Sequence, residues 1–164
     1  MKALVYASSD KKEGRKVEKP RILHDGDAVV VKLLNTTICG TDLHILGGDV
    51  AAVKEGTILG HEGIGIVEEV GPGVKNFKVG DKVIISCVTT CGSCDDCKKG
   101  LYANCPHGGW ILGHLIDDTH AEYVHIPHAV GIPNCSVLFT NSYSHDWLRR
   151  YSLKYFGSIH TLQN

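Results

Sequence analysis

Up to about Ala129 the apolar positions fall in short runs that alternate with polar residues or gather as β-branched stretches, and turn signals close each run. Five stand out: KALVY from Lys2, DAVVVKLLN from Asp27, GIGIVEEV from Gly63, KVIIS from Lys82 and AEYVHIP from Ala121. A period of two sends successive side chains to opposite faces of a strand, and β-branched residues suit a pleated, buried surface, so each run predicts a strand. GPG at Gly71 to Gly73 and VGD at Val79 to Asp81 supply turn chemistry between them. Short strands in this order predict a mainly β fold, a sandwich or a barrel. Helical spacing is scarce. In the first half of the chain, only ICGTDLHIL from Ile38 to Leu46 predicts a short helical turn.

Composition narrows what such a fold can do. The chain has 164 residues, enough for one domain with an ordinary core. Charged residues make up 21% and the formal net charge is −1, so no basic field exists to hold nucleic acid or an anionic membrane, and neither partner is expected. No apolar run approaches the length of a membrane span. The N-terminal stretch MKALVYASSDKKEGRK has no long apolar core and no small-residue cleavage site, which predicts a cytoplasmic chain with reduced thiols.

That expectation bears on CGSCDDCKKGLYANC, Cys91 to Cys105, which holds four of the seven cysteines. A disulfide framework is disfavoured by the reducing compartment and by the odd total. The spacing C-x2-C-x2-C-x7-C, followed by Pro106, shares its first part with bacterial ferredoxin clusters but has a longer final gap. Two C-x2-C steps fold a loop around one ion, and seven further residues let the chain return to close a tetrahedron, as a structural zinc requires. Spacing favours zinc at Cys91, Cys94, Cys97 and Cys105, with an iron–sulfur cluster and bystander thiols as the alternatives. Lys98 and Lys99 stand beside the thiolates and offset part of their charge.

Two further stretches carry chemistry. Within the expected helical turn, Cys39, Thr41 and His44 offer a thiolate, a hydroxyl and an imidazole, and a helical turn brings Thr41 and His44 onto one face. A cysteine and a histidine near a strand end are more often ordinary core or surface residues. GHEGIGIVEEVGPGV from Gly60 places His61 and Glu62, a nitrogen ligand and a carboxylate, at the start of a strand between glycines that leave them uncrowded.

Taken together these motifs resemble the zinc-containing alcohol dehydrogenases of the medium-chain dehydrogenase/reductase superfamily. Gly60, His61, Glu62, Gly65, Gly71 and Val74 fall at that family's spacing, ICGTDLH resembles its catalytic-zinc strand end, and the cysteine stretch resembles its structural-zinc lobe. GGWILGHLIDDTHAEYVHIPHA, Gly108 to Ala129, is similar to the segment that follows the lobe in bacterial-type members. The resemblance covers residues 1–129 and implies a GroES-like β-barrel with a structural-zinc lobe. It implies one structural zinc on the four cysteines and one catalytic zinc on Cys39 and His61, with Glu62 as an exchangeable ligand or an adjacent carboxylate. Thr41 and His44 would pass the alcohol proton to solvent. The implied reaction is hydride transfer between a small alcohol and NAD or NADP, giving an aldehyde or ketone, with zinc stabilising the alkoxide. Trp110 would wall an apolar pocket or serve as plain core. The family also suggests a homo-oligomer.

The chain departs from the family after Ala129. No G-x-G-x-x-G occurs, and past Gly113 only Gly131 and Gly157 remain, so the Rossmann domain of the family is expected to be missing. Residues 130–164 hold six of the eleven aromatics and one acidic residue, and are read as a divergent tail, out of frame or disordered; Leu148, Tyr151 and Tyr155 fall at helical spacing. The family's remaining catalytic-zinc ligand, a cysteine or aspartate, comes from beyond the match. Cys135 and Asp146 are the nearby residues of that type, and neither sits in a matching motif. Two functions follow: a truncated zinc-dependent alcohol dehydrogenase, or a non-catalytic zinc-binding β module.

Overall fold

A computed structural model describes residues 1–22, 26 and 28–129, with the backbone of 137–138 and 159–160. Most of the expected tail, including Cys135, Asp146 and the helical spacing from Leu148, lies outside the described residues. All five expected strands are present: β1 (Lys2–Ser8), β3 (Val29–Thr37), β4 (Gly63–Val70), β5 (Lys82–Ile85) and β6 (Tyr123–Ile126). The fold is mainly β, with short helices α1 (Gly40–Leu46) and α2 (Asp95–Lys98) and a 3-10 turn at Tyr102–Asn104.

β3 is the spine. It pairs antiparallel with β4 on one side and β6 on the other, so Val31 faces Val67 and Val124. The sheet continues in the order β6-β3-β4-β5-β7, where β7 is Val137–Leu138, and β8 (Ile159–His160) pairs with β3 near Thr36 and Thr37. Val29, Val31, Val67, Val83, Ile85, Leu112, Val124 and Ile126 form one buried cluster. Each such side chain gains about 1.5–3 kcal/mol on leaving water, which sets the register against slippage. A bulge at Leu34, between the Leu33 and Asn35 pairings, bends β3 shortly before Cys39.

One strand was not anticipated. β2 (Lys11–Lys16) reads KKEGRK, with no apolar position to set a period, yet it pairs with β1 through a turn in which Asp10 adopts φ 60°. Backbone pairing alone makes it a strand, and its charges protect the exposed edge. The helix begins at Gly40, two residues later than its apolar pattern suggests, because Cys39 is its cap. A seven-residue helix is not stable alone in water. Ile45 docks it onto Leu59 and Val53, a second small cluster that ties α1 to the segment leading into His61. Among the described residues no helix is long and apolar enough to cross a membrane.

Asp118 is a cost within this core. It is 1% exposed, and neither carboxylate oxygen has a hydrogen-bond partner among the described residues. Burial, with the Asp42 and Asp117 charges adding to it, holds the carboxyl well above the usual carboxylate range. Its folded-state pKa thus exceeds the unfolded value of about 3.9. Folding takes up a proton wherever the unfolded chain is ionised, so the penalty is absent below about pH 4 and grows as pH rises. Asp118→Asn is expected to stabilise the fold by about 1–3 kcal/mol at pH 7, with a gain that shrinks toward pH 4. Urea titrations of both proteins across that range check it; a gain independent of pH would contradict the buried-carboxyl account.

Candidate metal centres

The first centre forms where β3 ends. Cys39 is extended at φ −106°, ψ 171° and caps α1: its Sγ accepts from the Thr41 N–H at 3.3 Å, while the Asp42 carboxylate accepts from the Cys39 N–H at 2.8 Å. This is a capping box with cysteine where serine or threonine is usual. It fixes both side chains. Asp42 is 1% exposed and has its second oxygen, Oδ1, 3.7 Å from His61 Nδ1. The other ring nitrogen, Nε2, lies 3.1 Å from Cys39 Sγ.

His61 is 4% exposed, and burial pushes its imidazole down, Asp42 opposing and His120 adding to the shift. A neutral ring is the form that binds a metal. Gly60 and Gly113 explain how it is presented. Gly60 has φ +89°, and a Cβ on Gly113 would fall 1.8 Å from the Gly60 oxygen, so the two backbones touch directly behind His61. Donor atoms of Cys39, Asp42 and His61 all lie within 4.8 Å of one another. A tetrahedral zinc bound to sulfur and nitrogen separates them by about 3.5 Å, so Cys39 and His61 fit one ion, with Asp42 behind the ring on Nδ1.

The other expected residues sit around this pair. Glu62 is half-buried outside the converging trio, and burial, reinforced by Asp42, pushes its carboxyl up to about 7. Its carbonyl accepts from Thr36 Oγ1 at 3.0 Å. Thr41 is half-buried, while His44 is exposed on α1, with Nδ1 2.7 Å from Asp49 Oδ2. Trp110 is 37% exposed and stacks on His114 at 4.2 Å, making a surface shelf rather than core. Sequence reasoning missed Asp42, although C-x-x-D at a helix start is a capping-box spacing. It also missed Cys87, half-buried, whose thiol is pushed up by burial and by the charges of Glu62 and Cys39.

The second centre is the lobe. Sγ atoms of Cys91, Cys94, Cys97 and Cys105 lie within 4.8 Å of one another, and all described cysteines are free thiols. Cys94 caps α2 and accepts from the Cys97 N–H at 3.4 Å; Cys105 accepts from the Cys91 N–H at 3.4 Å. Cys94 and Cys105 sulfurs stand 3.9 Å apart. That is close to the edge of about 3.8 Å of a tetrahedron with zinc–sulfur bonds of about 2.3 Å, and far from a disulfide of about 2.05 Å. The thiols spread widely: the Ser93 hydroxyl brings Cys91 down to about 5, and burial pushes Cys97 up to about 12. Lys98 reaches Asp95 at 3.9 Å. Paired backbone bonds between Thr89 and Gly109, of 3.0 and 2.7 Å, close the neck of the lobe.

The sequence pattern of the alcohol dehydrogenase GroES-like domain matches residues 25–134. The chain is 39% identical over 131 residues to zinc-type alcohol dehydrogenase B of Aspergillus flavus, covering 80% of this chain and 30% of that protein. It is 43% identical over 102 residues to an L-threonine 3-dehydrogenase of Pyrococcus furiosus, covering 60% of this chain and 29% of that one. The solved structure of zinc dependent alcohol dehydrogenase 2 from Streptococcus pneumonia, apo form, superposes with a TM-score of 0.77 at 52% identity, covering 87% of this chain and 39% of that chain. The chain therefore spans between 29% and 39% of the length of these three proteins.

The two ligand sets share no residue, which makes them separable. Cys97→Ser is expected to weaken zinc binding at the lobe by on the order of 100-fold or more and to loosen its fold, leaving metal binding by Cys39 and His61 intact. Competition with a graded series of chelators reads both sites. Retention of the tightest zinc in the variant would remove Cys97 from the ligand set.

Proposed function

The chain belongs to the zinc-type alcohol dehydrogenases built on a GroES-like domain, and from that premise we propose that it is the metal-holding part of an oxidoreductase acting on a small alcohol, aldehyde or ketone with NAD or NADP. The observation that carries this reading is the meeting of Cys39 Sγ and His61 Nε2 at 3.1 Å, with Asp42 behind the ring and the four-thiol lobe elsewhere. One thiolate and one imidazole leave room for further ligands, which a catalytic ion needs and a closed structural site lacks.

In this reading Cys39 and His61 hold the catalytic zinc, and Cys91, Cys94, Cys97 and Cys105 hold the structural one. Bound zinc supplies a Lewis acid to the alcohol or carbonyl oxygen, and a bound nicotinamide supplies the hydride partner. Asp42 Oδ1 faces Nδ1 of His61 across 3.7 Å, while Nε2 faces Cys39. Glu62, half-buried beside His61, is the carboxylate suited to enter and leave the ligand set. Thr41 and His44 pass the proton outward along α1; Asp49 holds Nδ1 of His44, so Nε2 is the atom that exchanges with solvent. The relatives' names differ in substrate, an alcohol in one and L-threonine in another, so the class proposed is a hydroxyl on a small molecule. A homo-oligomer accompanies the family reading, and a cytoplasmic location accompanies the expectation of reduced thiols.

Cobalt tests it. Replacing zinc, cobalt is expected to occupy two sites, one with the intense charge-transfer absorption of four thiolates and a weaker one with that of a single sulfur. His61→Ala should abolish the weaker site and spare the stronger. Two unchanged sites in the variant would mean that His61 binds no metal, and the enzymatic reading would fail.

A further inference from the structure

His120 stands between the two chain segments that carry Cys39 and His61, and it is 5% exposed. Its Nε2 lies 2.9 Å from the carbonyl oxygen of Thr37, two residues before Cys39. A carbonyl only accepts, so Nε2 carries the proton and the tautomer is fixed. On the other side, the His120 backbone N–H donates to the Leu59 carbonyl at 2.9 Å. The ring itself packs on Gly60: a Cβ there would fall 2.6 Å from His120 Cδ2. Gly60 immediately precedes His61.

Thr119 extends the same contact. Its hydroxyl shares a 3.1 Å hydrogen bond with the Thr36 hydroxyl, which is also 3.0 Å from the carbonyl of Glu62. Thr119 and His120 together thus bridge the last residues of β3, Thr36 and Thr37, to the stretch from Leu59 to Glu62. Backbone pairing between β3 and β4 ends at Thr36 and Gly63, so it does not reach either metal-binding side chain. Beyond that point the bridge fixes the distance.

We infer that His120 is a positioning residue that sets the separation of Cys39 and His61, by donating to the strand end before one and packing on the glycine before the other. The inference rests on the reading of Cys39 and His61 as ligands of one metal. A histidine that merely filled core volume would be replaced by leucine without consequence for the metal. A bridging donor would not. Glutamine keeps an N–H where Nε2 stands, whereas asparagine is one carbon too short to reach Thr37.

The test measures cobalt affinity at both sites in the full chain and in His120→Leu, His120→Gln and His120→Asn. His120→Leu and His120→Asn should weaken the Cys39–His61 site by about 10-fold or more and shift its thiolate absorption, with the four-thiolate site unchanged; His120→Gln should return affinity to within about threefold of the parent. Where the leucine variant does not fold, the asparagine and glutamine pair decides alone. Equal affinity in all variants, or a glutamine variant as weak as the asparagine one, overturns the inference while the His61→Ala result still stands for the site. A parent chain with no cobalt site sensitive to His61→Ala overturns the site reading, and this inference with it.

Discussion

The antiparallel register of β3 against β4 is the constraint on which the rest depends. β3 leads directly to Cys39, and β4 begins just after His61 and Glu62, so the pairing of Thr36 with Gly63 brings Cys39 and His61 to the same end of the sheet. A slip of one residue would move one strand by about 3.3 Å along the other and turn its side chains to the opposite face. The slipped strand's own valine, Val31 or Val67, would then leave the core. The apolar cost of that slip holds the ends of β3 and β4 in register, and contacts beyond Thr36 and Gly63 complete the 3.1 Å approach of sulfur and nitrogen.

Around this contact the fold accepts polar groups that a stable core would avoid. Asp42, His61, Asp118 and His120 are all buried, and each keeps at least one atom without a hydrogen bond among the described residues. Such groups oppose folding unless a bound ion or a partner compensates them. Asp42, His61 and His120 gather at the ends of β3 and β4, where such polarity suits ligation more than stability. The lobe solves a different problem. Two of its four thiols, Cys97 and Cys105, are buried behind a two-bond neck, and the four sulfurs converge where a metal ion would offset their charge.

Much of this was legible in the chain itself, for reasons that differ by element. The runs in β1, β3, β4, β5 and β6 were readable because burial on one or both faces forces apolar periodicity. β2 was not, since KKEGRK is held by backbone pairing to β1 and buries almost nothing. Cys39 and His61 were readable as ligand types in a familiar spacing. Asp42 was hidden because its two tasks, capping Cys39 and facing His61, appear only once the helix start is fixed. His120 was hidden for a stronger reason: its partners, Thr37 and Gly60, are distant in sequence and contribute only backbone.

A ligand pair set only by its own side chains could close or open as the chain breathes, and each ligand could find other partners. Here Cys39 is fixed by the capping box, and α1 is fixed by Ile45 against Leu59, next to Gly60. Gly60, just before His61, lies against Gly113, and the His61 ring faces Asp42, which itself belongs to the capping box. The capping box on Cys39 thus includes Asp42, which faces His61, and the docking of α1 ends on Leu59, close before His61. Geometry of this kind is determined more than once, so an ion bound there would meet donors already ordered, with little of its binding energy spent on ordering them.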